Sequence, residues 1–219
     1  MSAQSLVVIG GGEHARVVVE AARSRPDLWD VSGFVDPKPC AETATRLGLP
    51  RLGDDDWVVT AKSWPLLVLG VGEVGVSRRR EHVVTRYAAR AARWATVVHA
   101  AAWISPTAVL EPGAVVLAGA SVNSGARLGA HVVVNTGAVV EHDVVMEAFA
   151  QLGPGAVVGG GTVVERGAYL GLGCRVRDHL RIGRETLVGM GAVVVADVEG
   201  GAVVAGVPAA RLETGARRE

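Results

Sequence analysis

The pattern of apolar and polar positions divides the chain into two parts with different periods. In the first 95 residues, short apolar runs alternate with segments whose apolar residues recur at helical spacing. The apolar runs are SLVVIG at 5–10, DVSGFVD at 30–36 and WPLLVLGVG at 64–72. The helical segments are EHARVVVEAARSR at 13–25 and SRRREHVVTRYAARA at 77–91, and a shorter helix and turn is expected over 43–53. This alternation predicts a small parallel sheet of three strands or slightly more, connected by helices.

From about residue 97 the apolar pattern repeats every six residues. Sixteen successive positions, spaced six apart from Ile104 to Val194, all carry a large aliphatic side chain. The residue two positions before each of them is usually alanine, and the residue three positions before is often glycine. A short fixed period of this kind is typical of a solenoid, and a hexapeptide period is typical of a parallel β-helix.

Three hexapeptides are expected to form one triangular coil, so residues 18 apart would lie above one another on successive coils. Sixteen repeats predict about five coils. The segment GVPAARLETGARRE at 206–219 ends the pattern and is expected to cap the open end. The predicted organisation is a Rossmann-like α/β domain over 1–95, a parallel β-helix over 96–205 and a C-terminal cap or tail over 206–219.

Charge and cysteine content narrow the function classes. Acidic and basic residues balance at 22 each, which argues against a general affinity for nucleic acid or anionic membranes. Cys40 and Cys174 show no C-x-x-C spacing, so neither a disulfide framework nor a metal site is expected. No signal peptide and no apolar run of about 18 residues is present, and the expected location is the cytoplasm.

Gly10, Gly12 and Ala15 form the motif G-x-G-x-x-A between the first predicted strand and helix. Such a turn exposes N–H groups at a helix N-terminus, which favours phosphate. Arg16 could add a positive charge, and Asp36 after the second strand could accept a hydrogen bond from a ribose or base. The motif by itself leaves open an NAD-binding protein, but 95 residues provide only about one mononucleotide-binding half.

The two halves together resemble the bacterial nucleotide-sugar acyltransferases of the PglD and NeuD groups. The resemblance runs from VVIGGGEHARVVVEAA through GFVDP and VVNTGAVVEHDVVM to the closing AGVPAA. It implies that the β-helix is left-handed and that the protein is an acetyl-CoA-dependent N-acetyltransferase of a UDP- or dTDP-linked 4-amino sugar. It also implies that the N-terminal domain binds the nucleotide sugar. The candidate residues there are Gly10, Gly11, Gly12, His14, Arg16, Asp36 and Gly70.

Acyl transfer to an amine requires a general base, and histidine is the usual choice near neutral pH. The resemblance implies that His142, in the segment VVEHDVV, is this base and that Asp143 orients it. Ser124 and Gly160 lie 18 residues before and after His142, so both are expected beside it on neighbouring coils. A bare N–H at Gly160 could bind the oxyanion of the tetrahedral intermediate.

The resemblance also implies contacts to the acceptor and to acetyl-CoA. Asn135 corresponds to an asparagine near the acceptor and the thioester. Gln151 replaces a histidine that the family often uses at the acetyl donor, so the identity of the acyl group stays open. A single β-helix offers no deep cleft, and a homotrimer with sites shared between chains is implied. The expected coenzyme A contacts are Gln151, Gly153, Gly171, Gly189 and Arg175, the last as one of several arginines that could meet the 3′-phosphate.

Three other functions remain possible from the sequence. A sugar O-acetyltransferase of the sialic acid type would use the same base. A redox or sensory protein would bind NAD in the N-terminal domain, but no hydride-transfer site is recognisable. A non-catalytic β-helix would not need the His142–Asp143 pair.

Overall fold

The computed structural model describes residues 2–38, 46, 48–57, 65–76, 78–88 and 93–212. Cys40, most of the segment 39–47 and residues 58–64 lie outside the described residues, as does 213–219 at the C-terminus. Residues 2–88 of the described chain form an α/β domain, and the chain from Val97 onward forms a triangular β-helix.

The N-terminal domain is built on four parallel strands in the order β3-β2-β1-β4. Their bounds, with those of the two helices, are β1 Gln4–Ile9, α1 Glu13–Arg23, β2 Trp29–Val35, β3 Arg51–Gly53, β4 Leu66–Leu69 and α2 Arg79–Ala88. The central strand β1 is buried over Leu6–Ile9, as expected for a parallel strand covered on both faces. The predicted parallel sheet is thus confirmed.

The strand β3 lies in the segment for which a helix and a turn were predicted. Of the described residues in that segment only Arg46 is helical, and Arg51–Gly53 pairs with Phe34 and Val35 at the edge of the sheet. Three residues are too few to show the alternation that indicates a strand. The pairing is therefore decided by contact with β2 and not by local sequence.

The β-helix has three faces, one of which is covered by the N-terminal domain. This covered face consists of β5 Val97–Val98, β8 Val115–Val116, β11 Val133–Val134, β14 Gln151–Leu152, β17 Tyr169–Leu170, β20 Leu187–Val188, β22 Val203–Ala205 and β23 Ala210–Arg211. The second face consists of β6 Trp103–Ile104, β9 Ser121–Val122, β12 Val139–Val140, β15 Val157–Val158, β18 Arg175–Val176 and β21 Val193–Val194. The third face consists of β7 Val109–Leu110, β10 Arg127–Leu128, β13 Val145–Met146, β16 Val163–Val164 and β19 Arg181–Ile182.

Residues 18 apart pair in parallel on every face, for example Val139 with Val157 on the second face. The second residue of nearly every strand points into the core, and the first points outward. The third face has five strands, so five complete coils are present, as the hexapeptide count predicts. At the C-terminal end β23 pairs antiparallel with β22, which interrupts the parallel stacking in the segment expected to form the cap.

Three corners join the faces, and their backbone explains the recurrent glycines. Gly125 and Gly161 have φ angles of 71° and 65°, a region that costs glycine little. The same left-handed conformation is adopted by a few residues with a side chain, among them His131 and Asp143. A histidine or aspartate in this conformation is worth examining for function.

Two sets of contacts hold the N-terminal domain on the β-helix. Ala15 and Val18 of α1 share a buried cluster with the outward residues Val97, Val115 and Val133 of the covered face. The helix α2 lies along the corner between the third face and the covered face. There the buried Arg80 donates to the His131 carbonyl at 2.7 Å, Arg78 pairs with Glu185, and Glu81 pairs with Arg166.

Candidate active site

His142 and Asp143 lie at the corner between the second and third faces, which is called here the histidine corner (141–144). The Nδ1 atom of His142 is 3.0 Å from Oδ2 of Asp143, and both side chains are exposed. The left-handed backbone of Asp143, with φ of 57°, brings these two adjacent side chains together. Because the carboxylate can only accept at neutral pH, it fixes the proton on Nδ1 and leaves Nε2 free to accept one.

The coil register brings Ser124 and Gly160 beside this pair, as predicted. The Asp143 N–H donates to the Ser124 carbonyl at 2.9 Å, and the Gly161 N–H donates to the His142 carbonyl at 2.9 Å. A Cβ atom added at Gly160 would lie 2.5 Å from His142 Nε2. The imidazole therefore rests directly on the bare backbone of Gly160, and no other residue type would fit there unchanged.

The N–H of Gly160 is the second chemical group of the histidine corner. None of the backbone hydrogen bonds within the described chain uses it as a donor, whereas the Gly160 carbonyl accepts from His179. An N–H of this kind beside the free nitrogen of His142 is suited to an anionic oxygen that forms during a reaction.

A separate cavity of about 1370 Å³ lies between the N-terminal domain and the covered face. Its walls are the glycine-rich turn before α1, the loop 70–76 before α2, and the first corner of the β-helix, which joins the covered and second faces. Ten of the predicted binding residues line it, namely Gly10, Gly12, His14, Asp36, Gly70, Asn135, Gln151, Gly153, Gly171 and Gly189. The structure thus brings the predicted acceptor and coenzyme residues into one cavity.

Three predicted residues do not line this cavity. The N–H of Gly11, expected to face phosphate, instead donates to Asp36 Oδ2 at 2.7 Å. Arg16 turns toward Glu13, whose carboxylate is 3.8 Å away. Arg175 is exposed on the second face, where it pairs in register with Val157 and Val193, one face away from Gln151. These positions depend on side-chain direction and coil register, which the motif alone did not specify.

Asp36 braces the glycine-rich turn as well as lining the cavity. Its second oxygen, Oδ1, accepts from the Lys38 N–H at 2.8 Å. The carboxylate thereby ties the end of β2 to the turn after β1. Carboxylate oxygens have further lone pairs, so Asp36 can still accept a hydrogen bond from a ligand.

Burial keeps the histidine of the cavity wall neutral. The pKa of His14 is lowered to about 4, first by burial and then by the nearby positive charge of Arg80. Burial also raises the pKa of Glu73 in the loop 70–76, against the opposing effect of Arg80. His14 therefore offers a neutral imidazole at physiological pH, which can donate or accept a hydrogen bond but adds no charge.

The sequence analysis missed Tyr169, which lines the cavity beside Gln151. The two residues are 18 apart and pair in register on β17 and β14. The sequence pattern that could have indicated Tyr169 is the column of outward residues on the covered face. It reads Val97, Val115, Val133, Gln151, Tyr169, Leu187 and Val203, an apolar column interrupted at two positions.

The histidine corner and the cavity lie on opposite sides of the β-helix in one chain. The N-terminal domain packs on the covered face, and the histidine corner joins the other two faces. His142, Asp143 and Gly160 are not among the described residues that line the cavity. The predicted general base and the predicted acceptor site are therefore far apart within a single subunit.

Within the described residues, no group of three or more His, Cys, Asp or Glu side chains could hold a metal ion. No helix in this part of the chain is long and apolar enough to cross a membrane. Cys174 is buried in the β-helix, and burial raises the pKa of its thiol to about 12.

Comparison with known proteins covers both domains. The family of the PglD N-terminal domain matches residues 5–87. A histidine-to-asparagine mutant of perosamine N-acetyltransferase from Caulobacter crescentus, solved with CoA and GDP-perosamine, is 32% identical with a TM-score of 0.84. The similarity covers 95% of this chain and 97% of that one.

The acetyltransferase domain of PglB from Neisseria gonorrhoeae, solved with acetyl coenzyme A, is 30% identical with a TM-score of 0.85, over 96% of this chain and 100% of that one. WeeI from Acinetobacter baumannii is 23% identical with a TM-score of 0.80. The similarity covers 94% of this chain and 99% of that one, and it shows a shared fold. A search of curated protein sequences gave no match.

These similarities extend over the α/β domain and the β-helix together, and they define a two-domain acetyltransferase. The chain belongs to the PglD-like family of nucleotide-sugar N-acetyltransferases. The predicted family, fold and class of enzyme are thus confirmed.

Proposed function

We propose that this acetyltransferase moves the acetyl group of acetyl-CoA to the amine of a nucleotide-linked amino sugar, with His142 as the general base. The observation that carries the proposal is the His142–Asp143 pair, whose free Nε2 lies against the bare Cα of Gly160, a residue whose N–H donates to no backbone acceptor in the described chain. Relatives with both domains were solved with CoA and GDP-perosamine or with acetyl coenzyme A, which supports the choice of both substrates.

The reaction requires one proton transfer and one oxyanion site. The amine nitrogen attacks the carbonyl carbon of the thioester while His142 Nε2 accepts the amine proton. Asp143 stabilises the imidazolium that results. The Gly160 N–H donates to the oxyanion of the tetrahedral intermediate, a type of contact typically worth about 3 kcal/mol. The C–S bond then breaks, and the coenzyme A thiolate receives the proton.

The nucleotide is assigned to the N-terminal end of the cavity. Gly10 and Gly12 leave the turn before α1 without side chains, so a diphosphate can approach the N-terminus of that helix. Asp36 accepts from the ribose or the base, and neutral His14 hydrogen-bonds the ligand nearby. Gln151, Asn135 and the glycines of the first corner then face the sugar and the thioester end of acetyl-CoA.

We infer a homotrimer, because the family resemblance implies one and the separation of the two half-sites requires more than one chain. His142 lies on the side of the β-helix away from the cavity, so the base must reach an acceptor held by another chain. The outward residues Val139 and Val157 of the second face and Val145 and Val163 of the third are apolar and half-buried. These two faces flank the histidine corner and would pack between subunits in a closed ring.

The test is a product analysis with acetyl-CoA and a panel of UDP-, dTDP- and GDP-linked 4-amino sugars. Mass spectrometry should find one acetyl group per sugar, and acid-stable amide linkage should identify N-acetylation. His142→Ala should lower kcat by at least about a hundredfold, the lower end for general-base catalysis, while CoA still binds. Near-normal turnover by this variant would refute the base assignment. Stabilisation by NAD and by no nucleotide sugar in a thermal-shift assay would contradict the proposed substrate.

A further inference from the structure

The outward column of the covered face makes contact with the N-terminal domain at its two ends. At one end, Val97, Val115 and Val133 are buried in the cluster that contains α1. At the other end, Leu187 lies against the loop 70–76, since a Cβ at Gly75 would be 3.3 Å from Leu187 Cδ1. Between these contacts the domain leaves a window, which spans the strands β14 and β17.

The floor of this window is formed by Gln151 and Tyr169. Both line the cavity, and three strand spacings separate the rows of Val133 and Leu187, a height of about 14 Å. The inward neighbours Leu152 and Leu170 fill the core of the β-helix, so the two polar side chains must point toward the N-terminal domain.

Among the described residues, no side chain or backbone group hydrogen-bonds the Tyr169 hydroxyl or the Gln151 amide. Gln151 is only 8% exposed and Tyr169 is half-buried. Burial raises the pKa of Tyr169, so its hydroxyl remains a neutral donor and acceptor. The nearly buried Gln151 is at a depth where polar groups are usually satisfied, and Tyr169 lines the open cavity beside it, so both side chains are available to a ligand there.

The chemistry of the floor selects the ligand. The outward column contains no charged side chain from Val97 to Val203, so the floor itself offers a carboxylate no ion pair. The arginines that line the cavity, Arg78, Arg79 and Arg86, belong to α2 and the segment just before it and not to this floor. A hydroxyl and an amide, each able to donate and accept, instead match the hydroxyl groups of a neutral sugar ring. Gln151 is the residue predicted to meet the acyl group, and Tyr169 is one coil away from it.

We infer that Tyr169 is a specificity-determining residue in this window. It hydrogen-bonds a ring hydroxyl of an amino sugar whose ring carries no carboxylate. The inference rests on the proposed function and deepens it, because it separates neutral amino sugars from acidic sugars such as sialic acid. The nucleotide lies at the glycine-rich turn, the sugar lies over Tyr169, and the acyl group lies toward Gln151.

The test is Tyr169→Phe, which removes one hydroxyl and keeps the ring. Calorimetric titration should show that the variant trimer binds GDP-perosamine or a UDP-linked 4-amino sugar about fivefold more weakly, the loss expected for one neutral hydrogen bond. Binding of free GDP, free UDP and CoA should be unchanged, because none of them is assigned a contact with the Tyr169 hydroxyl. The KM for the sugar should rise about as much as Kd, with a smaller change in kcat.

A matched control is Thr186→Val, which removes a hydroxyl that is buried in the same β-helix but outside the cavity. That hydroxyl donates to the Glu199 carbonyl at 2.9 Å, so its loss should lower the melting temperature and leave sugar binding intact. Tyr169→Phe should instead weaken sugar binding and leave the melting temperature unchanged. A purely structural role for Tyr169 would weaken binding of free GDP or UDP and of CoA along with that of the sugar.

The outcomes separate the inference from the proposed function. Unchanged sugar binding in Tyr169→Phe, or weaker binding of CoA alone, overturns the inference even if the wild type acetylates the panel. Wild-type protein that binds the nucleotide sugars through Tyr169 but acetylates none of them leaves the inference standing and refutes the proposed function. If a CMP-linked acidic sugar is turned over as fast as the amino sugars of the panel, the preference for rings without a carboxylate is overturned.

Discussion

At the residue scale, the proposed reactivity depends on the absence of a side chain as much as on His142. Gly160 has no Cβ, and this leaves room for the Nε2 end of the imidazole against a residue whose N–H has no backbone partner in the described chain. Gly125 likewise leaves room for the Asp143 side chain, since a Cβ at Gly125 would lie 2.5 Å from Asp143 Oδ1. Two glycines on neighbouring coils therefore fix the geometry of the base and its carboxylate.

Gly160→Ala tests this arrangement without any change of charge. The added methyl group would overlap His142 Nε2, so the ring must move and kcat should fall by about a hundredfold or more, as for loss of an oriented base. Steady-state kinetics measures the effect, and the KM values should change little. Gly200→Ala is the control, because its nearest contact is 3.2 Å, to the Arg184 carbonyl, and it lies away from the histidine corner. Equal kcat in the two variants would contradict the packing argument.

At the element scale, the corner under α2 is where the two domains are joined. The ring of His131 stacks on Phe149 at 5.1 Å and meets the edge of Trp94 at 4.8 Å, and Arg80 lies against its carbonyl. Burial, followed by the charge of Arg80, lowers the pKa of His131 to about 4. The interface is thus built around a histidine that is neutral in the folded protein.

This neutral histidine predicts a loss of stability in acid. An unfolded histidine binds a proton near pH 6.5, whereas His131 in the folded state binds one only near pH 4. His131 should therefore leave the free energy of unfolding unchanged above pH 6.5 and lower it as the pH drops from 6.5 to 4. Buried His14, whose pKa is also lowered to about 4, should add a loss of the same sign. The loss should be at most about 3 kcal/mol for His131. Urea unfolding at pH 7.5, 6, 5 and 4.5 measures it.

His131→Asn should reduce the pH dependence between 6.5 and 4, although it lowers stability overall by removing two ring contacts. Asparagine tolerates the positive φ of 59° at this position, so backbone strain does not confuse the comparison. His82→Asn on the exposed surface of α2 is the control and should keep the wild-type slope. A slope unchanged in His131→Asn would show that other groups cause the acid sensitivity.

At the scale of the whole molecule, one chain contains both halves of the proposed site, the histidine corner and the cavity, but the two halves lie too far apart to act on one substrate. A shared site makes a specific prediction for mixed oligomers. His142→Ala destroys the base, and Gly12→Glu places a carboxylate where the diphosphate should bind. Space for that side chain exists, because a Cβ at Gly12 meets nothing within 4 Å. Each variant alone should be inactive.

Co-expressed in equal amounts, the two variants should regain about a quarter of wild-type activity in a ring whose sites each take one half from two neighbouring chains. The fraction follows because each half-site is intact with a probability of one half. Activity is measured on the whole pool of co-expressed oligomers, without selection for mixed ones, and native mass spectrometry verifies that mixed oligomers are present. Gly12→Gln serves as the uncharged control. No recovered activity would mean that both halves of a site come from the same chain.

Much of this protein could be predicted from sequence because the relevant physics is periodic or local. The six-residue repeat of aliphatic residues determines the β-helix, since each repeat must bury one side chain on one face. The same register places Gly160 beside His142 without further information, because residues 18 apart must stack. The turn at Gly10–Gly12 and the helix after it are local in the same way.

Other features were decided only by tertiary structure. The N–H of Gly11 is taken by Asp36, and Arg175 is placed a face away from the cavity. Tyr169 enters the cavity because the N-terminal domain contacts the covered face on either side of it. Each outcome depends on how two distant segments meet, and no local period encodes that meeting. The sequence by itself determined the coil and the position of the histidine corner on it, and it indicated the chemical class, whereas the docking of one domain on one face decided which side chains share a cavity.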